Sequence, residues 1–356
     1  MNAPCIFFLL LLLGGITFAS PVLGLVGAAI VIAIVLRNAI ASHRDRARAE
    51  SRRNTSCLIS AYFVENGQII TISKGNIIRM LDAQTGLVEQ TFRRDPDWID
   101  AVAFSADGHY VVWAVEDPDG EGTSLCFGES LSPMAIHEVG SGDYISRLVI
   151  SPDGNFFGYI GQHGKIELWA AKTGSPVPML FEPLGELLSL DFSPDGNVAF
   201  AFDNTVLLCQ LPSGGLLRTF EYTEPISSVI FSSDGQYMAV AGESGIRIWN
   251  YAAGTLTRNL KVRSATRQAV FSPESQYLAC DEVSGVSLWD VERGLCLWNR
   301  HPGNGWVECL SISPDSRQLI GLGDRGRLYL WRLDGDGRLT STQILSEKGW
   351  VTGPER

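Results

Sequence analysis

The sequence predicts an all-β fold of seven consecutive four-stranded units, and three observations carry that prediction. A turn-forming tetrapeptide returns about every forty residues, and each copy is flanked by runs that alternate apolar and polar residues. No helical period appears after residue 55.

The tetrapeptide Ser193-Pro194-Asp195-Gly196 places Ser at i, Pro at i+1 and Gly at i+3. That is the order a type I turn prefers, because Pro presets a negative φ and Gly accepts the positive φ that follows. It reads as a hairpin tip. Related tips are Ser105-Ala106-Asp107-Gly108, Ser151-Pro152-Asp153-Gly154, Ser232-Ser233-Asp234-Gly235, Ser272-Pro273-Glu274-Ser275 and Ser313-Pro314-Asp315-Ser316, with Val64-Glu65-Asn66-Gly67 as a weaker first copy. Their last residues are separated by 41, 46, 42, 39, 40 and 41 positions, a sevenfold internal repeat.

Each repeat contains four period-two segments between turn clusters, and such segments are strands. In one copy they are Ile226 to Phe231, Gln236 to Ala241, Ile246 to Asn250 and Thr255 to Leu260. Four strands in such a span, with an aromatic near the end of the third, is the layout of a β-propeller blade. The chain therefore predicts a seven-bladed β-propeller over residues 56–346, with 347–356 as a C-terminal tail. Every third strand is followed by its own fourth, from Leu87 to Arg93 in the first blade to Leu339 to Leu345 in the last. Seven complete blades without strand exchange follow.

The third strands end in Leu81-Asp82, Trp169-Ala170, Cys209-Gln210, Trp249-Asn250, Trp289-Asp290 and Trp331-Arg332. With these residues and this period, the sequence resembles the WD40-repeat family from residue 57 to about 345. The Gly-His dipeptide of that family is missing from every copy, so the resemblance implies the fold without the family's buried His-Asp network. It also implies a loop face that binds proteins or peptides.

The N-terminus departs from the repeat. Cys5 to Leu36 is a run of 32 residues without a charge, long enough for a membrane helix, which needs about twenty residues. Gly14-Gly15 and Ser20-Pro21 interrupt it, the latter an N-cap and an N1 proline. One tilted transmembrane helix and a helical hairpin both fit residues 1–36. A secretory signal peptide is disfavoured, because Met1 to Pro4 carries no side-chain charge ahead of the apolar core.

Residues 37–55 form a basic juxtamembrane linker. Arg37, Arg44, Arg46, Arg48, Arg52 and Arg53 against Asp45 and Glu50 give it a net +4. Arginine-rich flanks stay in the cytoplasm, so the propeller is expected on the cytoplasmic side of the membrane. With the total at −11, residues 54–356 carry −15, which repels phosphate backbones and argues against nucleic-acid binding. Seven cysteines show no Cys-x-x-Cys spacing, and Cys209 and Cys309 read as small core residues.

Catalytic motifs are weak. Gly321-Leu322-Gly323-Asp324-Arg325-Gly326 satisfies G-x-G-x-x-G, yet a strand rather than a helix follows it. It reads as a blade turn. Asp117-Pro118-Asp119-Gly120-Glu121 lacks the closing glutamate of a calcium loop and reads as a solvated loop. No catalytic set, cofactor site, metal site or small-molecule substrate is expected.

Aligning the repeats on their turns gives the clearest binding signal. The position six before the end of the first strand holds Trp98, Tyr144, Glu186, Pro225, Ala265 and Trp306 in the second to seventh blades. These positions lie in the loops that ring one mouth of the channel. Trp98, Tyr144 and Trp306, with Arg267 two residues past Ala265, are the candidate partner-binding residues, since aromatics with a polar handle make binding hot spots. The leading expectation is a membrane-anchored interaction scaffold without catalysis. The alternative is a propeller enzyme or small-ligand or ion sensor using channel groups such as Asp100, Ser146, Ser227 and Glu308.

Overall fold

The computed structural model describes residues 58–352, apart from short stretches at 65–66, 74–76, 94–97, 106–108, 117–122, 130–136, 141–144, 146, 162–163, 181–184, 263–265, 284, 301–306, 324–325 and 347–348. The apolar N-terminal run and the basic linker lie outside the described residues. Among the described residues no helix is long and apolar enough to cross a membrane.

Seven antiparallel sheets follow one another along the chain, six of four strands and one of five. In the fourth blade the strands are Leu187–Phe192, Asn197–Phe202, Thr205–Gln210 and Gly215–Glu221, in that spatial order. Five of the predicted hairpin tips, at 151–154, 193–196, 232–235, 272–275 and 313–316, lie among the described residues and form as the sequence predicts. The Gly196 N–H donates to the Ser193 carbonyl at 3.2 Å, and Gly196 adopts φ +82°. The Ser193 hydroxyl accepts from the Asn197 N–H at 2.9 Å and donates to the Asp195 carboxylate. The same positive φ is imposed on Ser275 and Ser316, at 59° and 56°. There the serine hydroxyls reach across blades: Ser275 accepts from the Asp234 N–H at 3.1 Å, and Ser316 donates to Glu274.

No sheet owns a core. The buried apolar side chains fall into seven clusters, one at each junction between neighbouring blades. Leu190, Phe200 and Phe202 face the third blade, while Ala199, Ala201 and Val206 of the same sheet face the fifth. A strand's alternate side chains point to opposite faces, so near-continuous apolar runs such as Val198 to Phe202 are buried on both sides. The seventh cluster joins Leu58, Ala61 and Ile69 of the first blade to Ile320, Leu322 and Leu330 of the last, which closes the ring.

Two strand expectations are corrected. The fourth strand of the third blade, read as Pro176 to Glu182, shrinks to Ser175–Pro176, because Pro176 and Pro178 have no N–H to give to a ladder. The last blade gains a fifth strand, Gly349–Thr352, within the stretch read as a tail. It pairs with Leu339–Ser346 and reaches over the first blade: the Trp350 N–H donates to the Thr85 carbonyl at 3.0 Å and its indole to the Ala83 carbonyl at 3.1 Å. Gly349 is required there, since a Cβ would stand 2.3 Å from the Thr85 oxygen with φ at +91°. Among the described residues no strand is exchanged between the seven sheets, and this terminal strand packs on the junction of the last and first blades.

Trp350→Ala removes a half-buried indole and its hydrogen bond to the Ala83 carbonyl from that junction, and keeps the backbone bond to Thr85. The expected cost is about 2 kcal/mol of unfolding free energy, measured by urea denaturation against an exposed control such as Val351→Ala, which should cost much less.

Candidate functional site

The first strand of each blade runs along the axis, with one edge paired to the second strand and the other turned to the channel. An unpaired edge exposes N–H and C=O groups that need partners. Side chains from the preceding blade supply several of them. Asp191 accepts from the Phe231 N–H at 2.7 Å and Ser189 from the Val229 N–H at 3.2 Å. Across the ring seam Ser311 accepts from the Phe63 N–H at 3.1 Å, and the Cys309 thiol donates to the Ala61 carbonyl at 3.2 Å. The Tyr62 hydroxyl donates to the Val102 carbonyl at 3.2 Å.

Five of these first strands carry a β-bulge near their start, as between Leu187 and Ser189 or Ile226 and Ser228. A bulge inserts one unpaired residue and re-aims its neighbours. Asp100, Ser227 and Glu308 are the inserted residues in their blades. Ser227 lines the channel, as the sequence suggests, but its hydroxyl donates to the Thr266 and Ala241 carbonyls and so serves the wall. The side chains of Asp100 and Glu308, and all of Ser146, lie outside the described residues.

The channel encloses a cavity of about 860 Å³. Its polar wall includes Tyr62, Arg147, Asp191, Arg267, Cys309 and Ser311, with Glu186 among the residues leading into the first strand of the fourth blade. Burial pushes the Asp191 carboxyl up to about 6, against the opposing pull of the Phe231 N–H and of Arg147. Burial likewise lowers the Arg147 guanidinium, while Asp191 and then Tyr62 hold it up. Among the described residues the guanidinium has no hydrogen-bonding partner and no carboxylate within ion-pair distance.

Of the four candidate partner-binding residues, Arg267 alone is described in full. It lines the cavity just before the strand Ala269–Phe271. Asp281, fully buried on the neighbouring strand, fixes that segment by accepting from the Arg267 and Gln268 N–H groups, both at 2.8 Å. Trp98 opens a first strand, Trp98–Phe104, and its side chain lies outside the described residues, as do Tyr144 and Trp306 entirely.

Sequence reasoning missed Tyr62, Arg147, Asp191 and Ser311. The signal exists in the aligned repeats: one residue before the end of the first strand, Tyr62, Asp191 and Ser311 stand where other blades have Ala103, Val149, Ile230 and Val270. Cys309 packs against the junction of the last and first blades, as read, and also lines the channel. Cys209 is 1% exposed and belongs to a blade junction, as read. The G-x-G-x-x-G segment ends one strand, Gln318–Gly323, and leads into another, Arg327–Leu333, as a blade turn. In the sixth blade the Trp289 indole donates to Ser287 at 3.0 Å and Ser287 donates to Glu282, a buried polar chain built without histidine.

One comparison relates this geometry to known proteins. The WD40 family model, described as WD domain, G-beta repeat, matches residues 214–250. That segment runs from the last strand of the fourth blade through the third strand of the fifth, and such propellers are commonly protein-interaction scaffolds. No curated protein matches the chain.

Asp191 and Asp281 are both pushed up to about 6, chiefly by burial, from an ordinary value near 3.8. Between those values the folded chain holds protons that the unfolded chain has released, so stability falls as pH rises from about 4 to 6. Asp281→Asn keeps an oxygen for both N–H donors and removes the charge. It should flatten this slope by about 2 kcal/mol across the window, read by urea unfolding at a series of pH values.

Proposed function

We propose that the protein is a membrane-anchored interaction scaffold, with the propeller on the cytoplasmic side and a protein or peptide held at the loop face. The observation that carries this reading is how the channel wall spends its polar groups. Ser189, Asp191, Ser227, Cys309 and Ser311 are committed to backbone groups of neighbouring strands. A wall built that way supports a rigid frame and leaves recognition to the loops. The WD40 match over residues 214–250 supports the same role. The uncharged run from Cys5 to Leu36 and the net +4 that follows support the anchor and its orientation. No reaction is assigned to the chain.

A second reading, small-ligand or ion sensing by the channel, is favoured by one observation: the guanidinium of Arg147 faces the cavity without a hydrogen-bonding partner among the described residues.

Two experiments test the scaffold. Affinity capture from detergent extracts should recover a stoichiometric protein partner with the full chain and lose it with Trp98→Ala combined with Trp306→Ala. The melting temperature of that double variant should stay near the parent's, and loss of capture together with the fold would count for a packing role. Protease added to intact cells or right-side-out spheroplasts should leave the propeller uncut until the membrane is permeabilised; cleavage before that would overturn the orientation.

A further inference from the structure

The central channel can take a ligand whether or not the loop face holds a protein partner. At the position three residues before the end of the first strand, the blades carry Ser60, Ala101, Arg147, Ser189, Ser228, Gln268 and Cys309. Arg147 is the one charged residue in that series. Across the two flanking junctions the cavity wall carries the small Ala101 and Ala103 on one side and Asp191 on the other. Arg147 and both alanines line one cavity of about 860 Å³, in the range of small-molecule pockets.

A guanidinium set in a confined channel without a fixed partner keeps its donors available to a ligand. Its five donors form a planar fork that fits an oxyanion with two oxygens. Asp191, Ser311 and Tyr62 hold neighbouring strands, while Arg147 has no hydrogen-bonding partner and no carboxylate within ion-pair distance among the described residues. We propose that the central channel is a binding site for a carboxylate group, held by the guanidinium of Arg147.

The charge of the wall selects the class. Asp191 and Glu186 line the same cavity, and residues 54–356 carry −15. Arg147 and Arg267 are matched there by the two carboxylates, so the wall is close to neutral and, in an acidic domain, favours a monoanion over a dianionic phosphate. A monoanionic carboxylate also takes two parallel hydrogen bonds from the fork. The carboxylate has two possible sources, a free small acid that enters the channel or the acidic side chain of a peptide docked at its mouth. Both present the same group to Arg147.

The test uses the full chain in detergent with three probes: acetate, inorganic phosphate, and a blocked peptide carrying a single glutamate. Titration calorimetry and thermal shift should show binding of acetate, of the peptide, or of both, and weaker binding of phosphate. Arg147→Met should weaken that binding by about tenfold or more, the worth of a charge-assisted pair, and Arg147→Lys should restore part of it. Binding of acetate assigns the site to free acids, and binding of the peptide alone assigns it to a docked side chain. Equal affinity in Arg147→Met, tighter binding of phosphate, or binding of neither carboxylate overturns the proposal. Where Arg147→Met does not fold, phenylglyoxal labelling of the parent protein decides: acetate or the peptide should protect Arg147 and leave the exposed Arg218 labelled, and labelling of Arg147 unchanged by both would sink the assignment.

Discussion

Every blade depends on burying both of its faces against other blades. A four-stranded sheet whose strands read Val198 to Phe202 or Tyr277 to Glu282 has no polar face to show to water. Sheets of this kind stack, and because each is twisted and wedge-shaped toward the axis, stacking turns into a circle. The ring is therefore the way the chain removes its last exposed apolar face. Seven clusters at seven junctions are the outcome, and none is redundant.

Two circuits of hydrogen bonds add direction to that non-directional packing. Near the axis, side chains such as Asp191 and Ser311 satisfy backbone groups one blade ahead. At the periphery, Arg218 donates to the Ala252 carbonyl at 3.2 Å, Arg258 to the Glu292 carbonyl at 2.9 Å, and the Trp298 indole to the Gly337 carbonyl at 3.1 Å. All three sit on outer strands and reach the turn of the next blade. The seam uses the same device from a different strand, with Arg332 donating to the Gln84 carbonyl at 2.9 Å. Each bond is worth about 1 kcal/mol. Their larger effect is to fix how far one blade rotates against the next.

The fold was legible because the repeat is written in turn chemistry. Proline, aspartate and glycine at fixed offsets mark each tip, and period-two runs mark the strands between them. The inner wall was far less legible. A bulge near the start of the first strand shifts the alternation by one residue, so the pattern alone does not show that Cys309 borders both a blade junction and the channel. Asp191 and Arg147 carry no local motif, and only the closed ring brings them to one cavity. Gly349–Thr352 is too short to announce itself as a strand, and its partners Ala83 and Thr85 lie at the far end of the repeat array.

The seam between the last blade and the first has a kinetic meaning. Its indole and the carbonyl it meets are 267 residues apart in sequence, so loop closure there is entropically the most demanding step and belongs late in folding. Until it happens, the flank of the first blade that carries Leu58, Ala61 and Ile69 stays open to solvent. A nascent or partly opened ring thus has one sticky border. Chaperone capture, or exchange of the closing hairpin between two copies, would begin at that border.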